Sequence, residues 1–233
     1  MTARVAVLAS GGGTNLQAIL DHLDSLGRTR PARVVLVASD RADAGALARG
    51  ERAGAEALVL SREQRGEPLA ELLSLRGIDL IALAGYLRLV PPSVSQAWRG
   101  RMINVHPALL PAFGGKGMWG HHVHEAVLRA GARVSGPTVH FVDEEFDRGP
   151  IIAQWPVPVA FDDSADSLAA RVLRAEHALY PRVVRALAEG RVRLEGDGRV
   201  TSPFAPSWEA RATFLPSPTD DALPQALDAL LAR

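Results

Sequence analysis

The 233-residue chain contains no cysteine. That removes disulfides, thiolate nucleophiles and cysteine-ligated zinc from consideration. Nor is charge of one sign in excess, because 26 basic residues stand against 26 acidic ones. A general nucleic-acid or anionic-membrane binder carries a basic surplus, so neither partner is expected. No apolar run approaches the roughly 20 residues that span a bilayer. No basic segment followed by an apolar stretch precedes the first strand, so no signal peptide is expected and the expected location is cytoplasmic. Lysine is scarce beside arginine and alanine, a bias that bears on no function. What remains is a chain that is 47% apolar, enough for a substantial core.

The first half alternates short apolar runs with amphipathic stretches. Residues 4–9, 33–39, 55–60 and 79–84 read as strands. Residues 14–26, 40–53 and 68–75 read as helices, the second capped by Asp40. Continuous apolar strands alternating with helices indicate a parallel sheet covered on both faces. In the second half, residues 102–105 form a short strand ending at His106-Pro107, and residues 122–130 a helix. The stretch "GPTVHFVDEEFDRGPIIAQWPVPV" reads as two strands whose acidic connection is too short for a crossover helix, hence antiparallel. A long amphipathic helix covers 164–189, and a hairpin turns about Gly196-Asp197-Gly198. The expected fold class is α/β: a Rossmann-like, doubly wound, mostly parallel sheet with an antiparallel pair in the C-terminal half. One domain is expected over 1–201. Residues 202–233 form a tail, with a last helix over 223–231.

Four constellations carry chemistry. In "LASGGGTNLQAIL" a strand runs through three glycines into a helix. Gly11 and Gly13 begin a dinucleotide fingerprint, but Leu16 stands at its third glycine, and no Gly-Lys-Ser/Thr follows. Two readings stand: a single-phosphate site at Gly13, Thr14 and Asn15, or a plain tight turn. In "INVHPALLP", Asn104 and His106 alternate on one strand face, towards the carboxyl end of the sheet. They are either two donors for an oxyanion or a pair satisfying loop carbonyls. Asp147, in "VDEEFDRGP", would raise the His106 pKa if brought beside it. In "HHVH", His121 and His124 stand at i, i+3 with His122 between them, but a third ligand would have to come from elsewhere and there is no H-E-x-x-H pattern, so no metal is expected.

Taken together, "LASGGGTNLQAIL", "LAGYLRLV", "INVHPALLPAF", "GPTVHFVDEEFDRGPII" and "RAEHALYP" resemble, in order and spacing, the phosphoribosylglycinamide formyltransferase family of purine synthesis. That family lies within the folate-dependent formyltransferases. The resemblance spans about residues 4–195 and implies a phosphate- and nucleotide-binding half (1–100) and a catalytic and folate-binding half (101–201). It implies an enzyme that moves a formyl group from 10-formyltetrahydrofolate, as co-substrate, to the amine of glycinamide ribonucleotide. It implies Asn104, His106 and Asp147 as the catalytic trio. It also implies Gly13, Thr14, Asn15 and Glu176 as contacts to the ribonucleotide. The folate contacts would be Arg62, Leu87, Arg88, Leu89, Val90, Asn104, Asp143 and Asp147. Leu173 stands where the family often has a polar or basic residue near the phosphate, with Arg174 beside it. Small-molecule substrates and a monomer or homodimer follow as expectations. The alternatives are another folate-dependent formyltransferase, a formyltetrahydrofolate hydrolase, or a non-catalytic nucleotide-binding Rossmann module.

Overall fold

The computed structural model describes residues 2–204 and, beyond them, Gln225. The expected tail lies almost wholly outside the described residues, as does the helix expected over 223–231. The chain begins β1 (Ala3–Leu8), α1 (Thr14–Ser25), β2 (Ala32–Ser39), α2 (Gly45–Arg52), β3 (Glu56–Val59), α3 (Pro68–Leu75), β4 (Leu80–Leu83), α4 (Pro92–Ala97) and β5 (Met102–His106). It continues α5 (His121–Arg129), β6 (Val134–Ser135), β7 (Thr138–Phe141), β8 (Ile151–Gln154), β9 (Val157–Pro158), α6 (Ala165–Ala188), β10 (Arg193–Leu194) and β11 (Val200–Thr201).

Seven strands form one sheet in the order β3-β2-β1-β4-β5-β7-β8. The first five pair in parallel, and β7 and β8 close the edge antiparallel. Alternation along the strands divides the core. Val5, Val7 and Ala9 pack with α1, α5 and α6 on one face. Ala6 and Leu8 pack with α3 and α4 on the other. Order reverses at β1, which has β2 on one side and β4 on the other, so a crevice opens at the carboxyl ends of β1 and β4.

Three local features position that crevice. Gly13 starts α1 in the left-handed region (φ 75°). A Cβ there would lie 2.7 Å from the Ala46 Cα, so only glycine lets the loop pass α2. Secondly, α6 starts on a reciprocal Ser164–Ser167 capping box. Its buried Tyr180 hydroxyl lies 2.9 Å from the Leu83 carbonyl and 3.1 Å from that of Ile103, where β4 and β5 end. Thirdly, Asp40 does not cap α2 as expected. The Arg41 N–H bonds the Ser39 hydroxyl and Arg41 pairs with Asp43, so a turn intervenes and α2 starts only at Gly45, after Ala44. The shielded Asp40 carboxylate takes a guanidinium instead, accepting from Arg88 Nε at 2.8 Å. The short α4 went unread in sequence, as did the β6–β9 pair, which forms a small separate sheet.

Removing the Tyr180 hydroxyl leaves two buried carbonyls short of a donor. Tyr180→Phe is expected to lower unfolding stability by about 1–3 kcal/mol, read from urea denaturation; an unchanged midpoint would show that the hydroxyl does not hold α6 to the sheet.

Candidate active site

A cavity of about 630 Å³ opens at the carboxyl ends of β1, β4 and β5. Its walls come from both halves of the chain. They include Asn15, Leu87, Arg88, Leu89, Val90, Asn104, His106, Asp147 and Glu176, which sequence reasoning had singled out. Gly13, Thr14, Arg62 and Asp143 are not in the lining. Gly13 and Thr14 sit just before Asn15 at the start of α1. Asp143 closes the turn of its own loop, its Oδ1 accepting from the Glu145 N–H at 3.0 Å, and Glu145 and Phe146 face the cavity in its place. Arg62 is exposed, whereas Arg65, three residues on, approaches the Asp40–Arg88 pair at 3.8 Å.

Asn104, His106 and Asp147 do come together. The β7–β8 connection returns Asp147 with a left-handed backbone (φ 56°), a conformation aspartate tolerates. Gly149, two residues on, passes so close to the Phe141 carbonyl that no side chain fits. The Asp147 Oδ2 accepts the Gly115 N–H at 2.9 Å and lies 3.4 Å from His106 Nδ1. Asp147 Oδ1 lies 3.5 Å from Asn104 Nδ2 and 3.6 Å from His140 Nε2. Burial raises the Asp147 carboxyl, but His140, His106 and the Gly115 N–H outweigh it and hold the pKa below the usual carboxylate value.

His106 departs from expectation. Asp147 does act to raise its pKa, as does the Phe113 carbonyl. Burial is the larger effect, His140 adds to it, and the net shift is downward. The His106 Nε2 lies 2.8 Å from the Phe113 carbonyl oxygen, which can only accept, so Nε2 carries a hydrogen. Nδ1, facing Asp147, is where a second proton would sit.

Sequence reasoning missed His140. It is buried on β7 directly opposite Asn104, and its Nε2 lies 3.2 Å from Asn104 Nδ2. Its Nδ1–H donates to the Phe141 carbonyl at 2.7 Å. The only sequence signal was its place one strand from Asn104, and that needs the β5–β7 register. His124 also lines the cavity. Burial, then His121 and His106, push its pKa down to about 4. Among the described residues no group of three or more His, Asp or Glu is placed to hold a metal ion. Nor is any described helix long and apolar enough to cross a membrane.

At the other end of the cavity, Asn15 Nδ2 donates to Glu176 Oε2 at 2.6 Å, both residues buried. Burial lifts the Glu176 pKa to about 7, against the pull of Asn15. Asn15 Oδ1 is buried without a partner among the described residues. A buried acceptor left open beside a cavity is a place for a ligand donor. The opposite wall is apolar, with Leu87 and Leu89 half exposed and Phe146 nearby. It offers flat contact to an aromatic ring.

The chain is similar to several known proteins. The chain is 44% identical over 203 residues to an Arabidopsis thaliana protein named phosphoribosylglycinamide formyltransferase, chloroplastic, covering 84% of this chain and 68% of that one. It is 42% identical over 193 residues to a Drosophila melanogaster trifunctional purine biosynthetic protein adenosine-3, covering 80% of this chain but only 14% of that one. The crystal structure of glycinamide ribonucleotide transformylase 1 from Symbiobacterium toebii superposes with a TM-score of 0.77 at 46% identity, covering 86% of this chain and 93% of the other. The formyl transferase family model matches residues 3–184, from β1 almost to the end of α6 and through every wall of the cavity. By sequence, fold and the span of that match, the chain belongs to the formyl transferase family.

Proposed function

We propose that the chain transfers the formyl group of 10-formyltetrahydrofolate to the amine of 5-phosphoribosylglycinamide, a step of purine biosynthesis. The observation that carries this reading is the meeting of Asn104, His106 and Asp147 in one cavity, between the Asn15–Glu176 pair and the apolar wall of Leu87 and Leu89. The ribonucleotide lies along Gly13, Thr14, Asn15 and Glu176, its phosphate at the start of α1. The pteridine ring lies along Leu87, Arg88, Leu89 and Val90. A non-catalytic nucleotide-binding module has no need of a shielded, ionised Asp147 between two histidines.

The chemistry follows from the geometry. The amine attacks the formyl carbon, a C–N bond forms, and the carbonyl electron pair moves to oxygen. Asn104 Nδ2 and His106 Nε2–H donate to that oxygen; each preorganised donor of this kind is worth about 2.7–4 kcal/mol. His106 must turn its Nε2–H from the Phe113 carbonyl to the substrate. As the oxygen gains charge, a second proton at His106 Nδ1 becomes favourable, because Asp147 stands behind it. The His106–Asp147 pair thus takes the proton leaving the amine and returns one to N10. The C–N10 bond then breaks, leaving the formamide and the free N10–H. The depressed Asp147 pKa makes that carboxylate a counter-charge for His106 rather than a strong base of its own.

The direct test is formyl transfer by the purified protein from 10-formyltetrahydrofolate to glycinamide ribonucleotide, followed by loss of the formyl-folate; hydrolysis without transfer would favour a hydrolase, and no turnover would end this reading. Asp147→Asn keeps the left-handed turn and removes the charge. It is expected to lower kcat by about a hundredfold or more and to move the His106 pKa further down in an NMR titration. An unmoved His106 would take Asp147 out of this role.

Glu176 supplies a separate pH dependence. Its pKa rises from 4.5 unfolded to about 7 folded, so the folded state binds more protons between those values. Stability therefore falls as pH rises through that window, and the cost is fully present above it. Glu176→Gln keeps an acceptor for Asn15 and removes the titration. The variant is expected to gain on the wild type by up to about 3 kcal/mol between pH 4.5 and 8, measured by urea unfolding across that range. Parallel stability curves would refute it.

A further inference from the structure

The chain has one lysine, Lys116. It stands in the glycine-rich connection before α5, exposed, on the wall of the cavity. The backbone there is pinned at its near end, since the adjacent Gly115 N–H donates to Asp147 and the Phe113 carbonyl holds His106. Three carboxylates line the same cavity: Glu145, Asp147 and Glu176. Among the described residues only two side chains of fixed positive charge stand against them, Arg88 and Lys116. Arg88 is committed to Asp40 at 2.8 Å. Lys116 has no ion-pair or hydrogen-bond partner among the described residues. The α6 wall of the cavity offers Ala169, Leu173 and Glu176, none of them a cation.

A phosphate carries close to two negative charges, and backbone N–H groups at a helix start supply only partial positive charge. Entering a cavity lined with carboxylates, it needs a full cation. We infer that Lys116, the one uncommitted cation of the cavity wall among the described residues, closes over the ribonucleotide and binds its phosphate. The inference rests on the proposed substrate for its chemistry. The connection carrying Lys116 runs directly into α5, which packs on α6, and α6 bears Glu176. Lys116 thus lines the same cavity as Asn15 and Glu176. The carboxylates of a folate tail are the other anion that could claim it.

The single lysine makes a clean probe. In protein labelled with ¹³C-lysine, the one ε-methylene signal is expected to shift on titration with ribose 5-phosphate and to stay in place with ribose. A signal that ignores ribose 5-phosphate overturns the inference whether or not the protein transfers formyl groups. A signal that moves in a protein without transfer activity leaves the phosphate contact standing and removes the proposed reaction instead. In the active enzyme, Lys116→Met should raise KM for the ribonucleotide ten- to thirtyfold relative to KM for its dephosphorylated ribonucleoside, and Lys116→Arg should recover most of the difference. Equal losses on both would mark a structural role. A rise in KM confined to the glutamate-bearing folate, absent with a donor lacking the glutamate, would assign Lys116 to the tail. Either result overturns the inference.

Discussion

A carboxylate taken out of water must be compensated where it stands, and the site is arranged around that demand at Asp147. One oxygen receives the Gly115 N–H and faces His106; the other faces Asn104 and His140. These partners come from β5, β7 and the glycine-rich connection. Holding one charge therefore fixes the antiparallel edge against the parallel sheet and draws the connection across the cavity. The tight passage of Gly149 beneath the Phe141 carbonyl belongs to the same constraint, because it brings the loop back steeply enough for Asp147 to reach inward.

Two carboxylates of the cavity are pushed in opposite directions. Asp147, ringed by donors and imidazoles, stays ionised. Glu176, buried with one amide donor, is lifted to about 7. Divergence of this kind separates roles. In the proposed reaction the ionised group is the counter-charge for positive charge developing on His106. The other, poised between forms, can accept or donate a hydrogen bond to a hydroxyl-bearing ligand. The depressed His106 pKa fits this division: a ring without its second proton in the resting protein can take one up as the reaction generates negative charge beside it.

Much of this was legible in sequence, for physical reasons that differ by residue. Apolar runs of strand length, punctuated by glycine and aspartate, give the parallel sheet because strands buried on both faces have no polar alternation to obscure them. Asn104 and His106 were legible as a pair because strand alternation puts them on one face. His140 was not, since its neighbour across the sheet depends on a register no local pattern states. Asp40 misled because an aspartate before a helical stretch reads as a cap, while its buried position called for the charge of Arg88, 48 residues away. The direction of the His106 shift misled for a similar reason. The attraction of a neighbouring carboxylate can be guessed from sequence, but the burial that outweighs it belongs to the folded state. Asn104, His106 and Asp147 as a trio rested on family resemblance until the geometry brought them within contact.

The serine before the three glycines joins the two ends of the cavity. Ser10 is buried; its N–H donates to the Gly85 carbonyl at 3.0 Å, and its hydroxyl accepts the Leu87 N–H at 3.0 Å. The turn after β1, which leads to Gly13 and Asn15, is thus tied directly to the segment after β4, which carries Leu87 and Leu89. In the proposed reaction the first turn holds the acceptor and the second the donor. Their separation is then set by two short hydrogen bonds rather than by the long path through the sheet. Reactions between two bound molecules gain most when both are held at attack distance before reaction, worth about 7–11 kcal/mol in well-oriented systems. A rigid link of this kind under the crevice supplies such registration, while Asn104, His106 and Asp147 approach the same point from β5 and the β7–β8 connection.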